Sequence, residues 1–177
     1  MYWILFVMGA MVAVVFAILV GGLVTPRKHV ASRSISLRAA PELVWSTVHD
    51  VARYAEWRHE IEDSSVVDTE QPQLRWRETS TRGSVTFGVV VDEPPHRLTA
   101  RILDDDLPSA GEWTWQVVAA ADGTRVTITE RGEIGNPIVR FFGAHFIGYT
   151  RSIDMYLKAL ARHLGDERAN TVDAAAV

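Results

Sequence analysis

The chain has 177 residues, no cysteine and a formal net charge of -4 at pH 7. The lack of cysteine excludes disulfides, thiolate catalysis and Cys-containing zinc sites. The negative charge gives no reason to expect nucleic acid as a partner, because phosphate binding normally needs a basic excess. No His and acidic residues occur at metal-ligand spacing and no phosphate-cradling glycine loop is present, so we expect neither a metal nor a cofactor.

The chain begins with a long apolar segment. Residues 2–24 carry no charge, and a helix of that length spans about 34 Å, which exceeds a bilayer core of about 30 Å. A cleaved signal peptide would have a basic start, a shorter apolar centre and a small-residue cleavage site. The segment lacks these features, so residues 1–24 are predicted to form an uncleaved single-pass transmembrane helix. A signal peptide is the alternative.

Basic residues follow the apolar segment. Arg27 and Lys28 lie in a predicted juxtamembrane linker, residues 25–33, where they would contact anionic lipid headgroups. Positive flanks are retained in the cytoplasm, so the soluble part is predicted to be cytoplasmic.

Small residues recur every four positions within the apolar segment, at Gly9, Ala13, Ala17 and Gly21. Such a stripe allows two membrane helices to approach closely. Homodimerisation through this stripe is therefore a hypothesis. The alternative is chance, because Gly and Ala are common in membrane helices.

A single domain is predicted over residues 34–164. Its first part contains short alternating segments rich in Val, Ile, Thr and Trp, which indicate antiparallel strands. Arg82-Gly83 and Asp122-Gly123 mark turns between them. The predicted strands cover residues 34–38, 62–69, 74–81, 84–92, 97–103, 112–120 and 124–134.

Helices are predicted at two places in this domain. Two short helices follow the first strand, one starting near Pro41 and the other following Asp50, which can cap it. One long helix is predicted over residues 137–164, because apolar residues recur there at helical spacing. The tail, residues 165–177, is polar and then alanine-rich, and we expect it to be disordered.

Two stretches of the domain carry a family resemblance. The first is residues 36–45, SLRAAPELVW, followed by Asp50, Tyr54 and Trp57 in a D-x-x-x-Y-x-x-W arrangement. The second is residues 129–137, TERGEIGNP, which lead into the last helix. With the order of strands and helices, these motifs resemble the START/Bet v 1-like (SRPBCC) superfamily, and within it the polyketide cyclase/dehydrase-like group. The resemblance implies an α+β helix-grip fold, in which a seven-stranded antiparallel sheet wraps around a long C-terminal helix. It also implies a pocket for an apolar ligand between sheet and helix.

Strand alternation and helix spacing place a set of side chains toward this pocket. The polar members are informative, because a buried carboxylate needs a partner. In the alternative interpretation the two glutamates reach water at strand ends, and the histidine and tyrosines are ordinary core residues. The candidate ligand-binding residues are Trp76, Glu78, Phe87, Trp113, Trp115, Glu130, Phe142, His145, Tyr149 and Tyr156.

Two functions follow from these residues. The first is a membrane-anchored, non-enzymatic module that binds a lipid or other apolar small molecule in the pocket. The alternative is a cyclase or dehydratase acting on an apolar ketone, with Glu78 or Glu130 as base and His145 or Tyr149 as acid. That chemistry requires donor and acceptor within reach of one substrate atom, and the sequence does not supply this distance.

Overall fold

A computed structural model of the chain describes residues 2–67, 73–104, 107 and 109–176. An apolar N-terminal helix precedes an antiparallel sheet, with helices near the start and the end of the domain. In chain order the elements are α1 (Tyr2–Val24), β1 (Lys28–Leu37), α2 (Pro41–His49), a 3-10 turn (Val51–Arg53), α3 (Tyr54–Trp57), β2 (Asp63–Val66), β3 (Arg75–Ser80), β4 (Gly83–Glu93), β5 (Arg97–Ile102), β6 (Ser109–Ala120), β7 (Gly123–Ile134), α4 (Pro137–Phe142), a π-helical turn (Gly143–Ile147), α5 (Arg151–His163) and β8 (Val172–Asp173).

The strands form one antiparallel sheet in the order β2-β3-β4-β5-β6-β7-β1-β8. β1 pairs with β7 along its full length, from Lys28 opposite Glu133 to Leu37 opposite Thr124. The β6–β7 hairpin turns at Gly123, whose φ is 136°. A side chain there would collide with the Leu37 carbonyl oxygen of the neighbouring strand, so glycine is required.

The core lies between the concave face of the sheet and α5. The buried face of α5 carries Ile153, Tyr156, Leu157 and Leu160, each with no exposed area. These residues recur at helical spacing and meet inward-facing strand residues, as amphipathic patterning predicts. The helix-grip fold implied by the resemblance is therefore present, with an eighth strand added to the predicted seven.

The C-terminal helix is not continuous, which differs from the prediction. The predicted span 137–164 contains α4, the π-helical turn and α5, separated at Gly148. Gly148 has φ 76° and ψ 146°, a backbone conformation that side chains other than glycine rarely adopt. The apolar spacing continues across this break, which is why the sequence pattern predicts one helix.

Two boundaries at the ends of the domain also differ from the predictions. The first strand begins at Lys28, six residues earlier than predicted, so most of the expected linker belongs to the sheet. The tail, for which disorder is predicted, pairs Val172–Asp173 with β1 as β8. Thr69, the last residue of the second predicted strand, lies outside the described residues.

The helix α1 is long and apolar enough to span a membrane, and none of its most apolar 18-residue window is buried inside the protein. Its last turn contacts α4. Gly22 is buried, and a side chain there would collide with the Pro137 carbonyl oxygen. At Gly21 a Cβ would lie 2.7 Å from the Phe141 ring. Gly21, the last member of the proposed dimer stripe, therefore faces α4 of its own chain.

Candidate functional site

A cavity of about 540 Å³ lies between the sheet and the broken C-terminal helix. Its wall is formed by inward side chains of β1, β5, β6 and β7, and it is closed by the segment on both sides of Gly148. The apolar and glycine part of this wall consists of Ile102, Ala110, Gly111, Trp113, Gly132, Ile134, Val139, Gly143, Ile147 and Met155. The polar part comprises His29, Glu130, Tyr149, Arg151 and Ser152, with a far rim formed by residues 58–62 and 80–82.

Four polar side chains of the cavity wall contact one another. His29 of β1 lies with Nε2 3.4 Å from Glu130 Oε1 of β7. Ser152 at the start of α5 donates to Glu130 Oε2 at 3.1 Å. The Tyr149 ring stacks on the His29 ring with centroids 4.0 Å apart and planes 15° apart. We call His29, Glu130, Tyr149 and Ser152 the polar corner.

The imidazole of His29 has one nitrogen without a partner. Its side chain is 9% exposed, and Nδ1 has no hydrogen-bond partner within the described part of the chain. In the neutral imidazole, a hydrogen bond from Nε2 to Glu130 places the proton on Nε2 and leaves a lone pair on Nδ1. A buried acceptor without a partner is costly, so a ligand hydroxyl or an ordered water would satisfy it.

The polar corner requires glycine at position 132, because the His29 ring occupies the space of a side chain there. Gly132 faces His29 across the β1–β7 pairing, and a Cβ there would collide with the imidazole ring. The histidine therefore lies flat over a strand position that has no side chain.

Glu78, a predicted site residue, is inward and buried but does not line the cavity. Its Oε1 accepts hydrogen bonds from Arg58 Nη1 at 2.9 Å and from Trp76 Nε1 at 3.0 Å. Arg58 also donates to Glu60 at 2.9 Å and lies over the rings of Tyr54 and Tyr156, about 5 Å from each centroid. Burial is the largest single influence and lowers the pKa of Arg58, but Glu78, the two tyrosines and Glu60 together outweigh it, so the pKa of Arg58 is raised.

Tyr156 lies beneath the sheet in the aromatic core. Its hydroxyl donates to the Tyr54 hydroxyl at 3.1 Å, and Tyr54 donates to the Val48 carbonyl oxygen at 2.6 Å. Burial is the main reason that the pKa of each tyrosine is raised above its ordinary value. Both hydroxyls stay protonated at neutral pH and act as structural donors.

The remaining inward sheet residues of the prediction divide between core and cavity. Trp113 lines the cavity. Trp76 and Trp115 are buried at 1% and 3% exposure, and Phe87 stacks on Trp76 with centroids 5.1 Å apart. These last three fill the space under α5 away from the cavity.

Two further predicted site residues lie outside the cavity wall, near the surface of the protein. Phe142 is 39% exposed. His145 is exposed, with Nδ1 2.9 Å from the Phe141 carbonyl oxygen and its ring stacked on Phe141. The break at Gly148 changes the direction of the chain, so the helical spacing from Tyr149 to these residues does not carry over.

The structure therefore brings Trp113, Glu130 and Tyr149 to the cavity, together with His29 and Ser152, which the sequence interpretation missed. His29 could have been found by continuing the strand alternation back from Leu37 through Ile35 and Ala31. Ser152 gave no sequence signal, because its role depends on the start of α5. Among the described residues no group of three His, Asp or Glu side chains could hold a metal ion.

Comparison with known proteins agrees with this architecture. A sequence profile of the family described as polyketide cyclase / dehydrase and lipid transport matches residues 28–165. None of the curated proteins matches the chain.

Several solved structures share the fold. The Zhui aromatase/cyclase of Streptomyces sp. R1128 has a TM-score of 0.65 at 15% identity, over 78% of this chain and 94% of that one. A START superfamily protein of Mycobacterium smegmatis has a TM-score of 0.59 at 20% identity, over 77% and 97% of the two chains. A norcoclaurine synthase mutant of Thalictrum flavum, in complex with a transition state analogue, has a TM-score of 0.62 at 10% identity, over 80% and 96%.

At these identities the structural likeness shows the fold and does not transfer an activity. The family profile covers the whole domain from β1 to the end of α5. The chain therefore belongs to the polyketide cyclase/dehydrase and lipid transport family of the START-like SRPBCC superfamily.

Proposed function

We propose that this protein is a membrane-anchored module that binds a lipid or another apolar small molecule carrying one polar group. The observation that carries the proposal is the cavity of about 540 Å³, whose apolar wall beside the broken helix carries the polar corner, with Arg58 and Glu60 on its far rim. Small-molecule sites in proteins have volumes of about 300–1,000 Å³ and a few placed polar groups in an apolar wall. The family includes lipid transport in its description, which agrees with a ligand of this kind.

The polar corner supports a specific orientation of the ligand. A ligand hydroxyl could donate to His29 Nδ1, which is buried and has no partner among the described residues. The apolar part of the ligand would then lie against Trp113 and Ile102 on the sheet and Met155 on α5. Burial of apolar surface would supply most of the affinity, at about 25 cal/mol per Å², and the polar corner would supply orientation.

The anchor supports a membrane source for the ligand. Only residues 25–27 separate α1 from β1, and three residues extend at most about 11 Å. The domain would therefore stay at the bilayer surface, where apolar molecules are concentrated.

The test is native mass spectrometry of the full chain in detergent, followed by identification of the bound molecule. Gly111 lines the cavity, and a Cβ there would make only ordinary contacts of 3.6 Å or more. Gly111→Leu should therefore fold and fill the cavity. Val118→Leu on the exposed part of the same strand is the matched control.

We expect a small apolar adduct on the wild type and on Val118→Leu, and none on Gly111→Leu. An adduct that persists in Gly111→Leu would place the ligand elsewhere. A wild type without any adduct, from its native membrane or after incubation with a lipid extract, would contradict the proposal.

A second candidate function is an enzyme of the cyclase or dehydratase kind. It is favoured by the pairing of His29 with Glu130, because a carboxylate that orients a histidine leaves the other nitrogen able to accept a proton. His29 Nδ1 would remove a proton beside a ketone, and Tyr149, stacked on it, would supply a proton to the leaving oxygen. Glu78, bound to Arg58 and Trp76, would not take part.

His29→Asn separates the two functions. If the protein is a dehydratase, the variant lacks the base and retains its substrate, while the wild type carries the product. The molecule bound to the variant should then be heavier by one water than the molecule bound to the wild type. A binding module would carry the same molecule in both proteins, in a smaller amount for the variant.

A further inference from the structure

The last turn of α1 and the start of α4 are in close contact. A side chain at Gly22 would collide with the Pro137 backbone, and one at Gly21 would lie 2.7 Å from the Phe141 ring. Pro137 and Phe141 lie one turn apart on the same face of α4. The segment Pro137–Ile147, formed by α4 and the π-helical turn, therefore begins at the level where α1 ends.

This segment exposes an apolar surface. Ile138, Phe142 and Phe146 are separated by one turn each, and they are 44%, 39% and 71% exposed. Val139 and Ile147 are 44% and 56% exposed. The segment has one arginine, Arg140, and its side chain is 3% exposed. His145 is the one exposed titratable side chain of the segment, so the exposed surface is predominantly apolar, which is unusual for a surface that faces water.

Basic side chains lie at both ends of this apolar surface. Arg27 and Lys28 follow α1 and are exposed, and Arg151, also exposed, follows the break at Gly148. Apolar side chains beside basic ones are typical of segments that lie in the membrane interface, with the charges at the level of anionic headgroups.

The same segment forms part of the cavity wall. Val139, Gly143, Ile147 and Gly148 line the cavity. Val139 and Ile147, which are also exposed, therefore lie where the apolar surface meets the cavity, and the buried Gly143 faces the candidate ligand site.

We propose that the segment Pro137–Ile147 inserts its apolar surface into the membrane leaflet from which α1 emerges, so that the cavity exchanges its ligand directly with lipid. The partner is the bilayer itself, identified by the apolar surface, free of exposed Asp, Glu, Lys and Arg, that continues from a membrane-spanning helix. This inference rests on the proposed binding function, because it specifies the route by which the ligand reaches the cavity.

The chain has no cysteine, so one cysteine placed at a chosen position can carry an environment-sensitive fluorophore. The full chain would be reconstituted in phosphatidylcholine and phosphatidylglycerol vesicles, with or without bromine on the acyl chains as a quencher. Phe146→Cys reports on the segment. Val118→Cys, 57% exposed on β6, is the control, because it lies in the sheet away from α4.

We expect a blue-shifted emission and bromine quenching at position 146, and neither at position 118. In a second experiment the fluorophore is at Ile138→Cys, and Phe146→Glu is added. The exposed side chain makes this change tolerable for the fold. Loss of one Phe side chain from the bilayer should lower the inserted population by roughly tenfold or more, and uptake from vesicles of the molecule found as the adduct should slow in parallel.

Equal emission and equal quenching at positions 146 and 118 would overturn the proposal. A blue shift at position 146 without bromine quenching would also overturn it, because a second protein copy would then cover the surface. Either result leaves the proposed function intact if the wild type carries an adduct that Gly111→Leu lacks. Quenching at position 146 without any adduct would instead contradict the proposed function alone.

Discussion

Glu78→Gln tests whether Glu78 stabilises the core or contacts a ligand. The carboxylate accepts hydrogen bonds from Arg58 and Trp76 at 2.9 and 3.0 Å, and the side chains of Arg58 and Glu78 are 11% and 9% exposed. Glutamine keeps the size and an acceptor oxygen but removes the charge opposite a buried guanidinium. We therefore expect a loss of stability, with ligand binding retained in the folded protein.

The magnitude follows from burial and the remaining partner. Breaking a buried ion pair costs about 3–5 kcal/mol, but Arg58 retains Glu60 at 2.9 Å. We expect a decrease of about 2–3 kcal/mol in the free energy of unfolding, as judged from this range. At about 2–4 °C per kcal/mol for a chain of this size, the melting temperature should fall by about 4–12 °C.

The assay is thermal unfolding of the full chain in detergent, followed by near-ultraviolet circular dichroism, with adduct detection by native mass spectrometry below the transition. Glu60→Gln is the matched control. Glu60 contacts the same arginine but is 27% exposed, so its loss should cost less than about 1 kcal/mol. An unchanged melting temperature for Glu78→Gln, together with a lost adduct, would refute the structural role of Glu78.

Three further predictions concern single side chains. Tyr156→Phe removes the hydrogen bond to Tyr54 without changing the packing volume, so the free energy of unfolding should fall by about 0.5–1.5 kcal/mol in urea denaturation. Backbone and side-chain hydrogen bonds from Arg38 hold the pKa of Asp166 below its ordinary value of 3.8. The stabilising contribution of Asp166 is therefore present above pH 3.8 and is lost as the pH falls through the lowered pKa. Asp166→Asn should lower the free energy of unfolding at neutral pH. In an acid titration, the free energy of unfolding of this variant should also fall less steeply below pH 3.8 than that of the wild type. Gly148→Ala forces a side chain into a backbone conformation reserved for glycine, so thermal unfolding should show a cost of about 1–3 kcal/mol.

Much of the sheet could be predicted because period-two alternation is a local property. The β4 and β7 boundaries, Gly83–Glu93 and Gly123–Ile134, lie within a residue of the predicted 84–92 and 124–134. The hairpin turns contain glycine at positive φ, which gives a direct sequence signal. The inward faces follow from the same alternation, and Trp76, Trp115 and Val117 are buried accordingly.

The candidate site was harder to predict because it depends on contacts between distant segments. Glu78 is inward, as alternation predicts, but its separation from the cavity depends on Arg58, which comes from the loop after α3. His29 lies in a strand that begins closer to the apolar helix than expected. Alternation predicts the direction in which a strand side chain points. It does not predict which residue from another segment pairs with its charge or buries it, as Arg58 does for Glu78.

The break at Gly148 explains both the cavity and the exposed apolar surface. A helix continued backwards from Ile153 and Tyr156 would place Tyr149, His145 and Phe142 on its buried face, beneath the sheet, as the sequence pattern predicts. With the chain redirected at Gly148, Phe142 becomes partly exposed and Gly143 and Gly148 line the cavity. Space that the rings of Phe142 and His145 would have filled is left open, while the neighbouring Phe141 ring lies beside the end of α1. The proposed binding function and the proposed membrane contact therefore both depend on Gly148, the residue at which the predicted helix is interrupted.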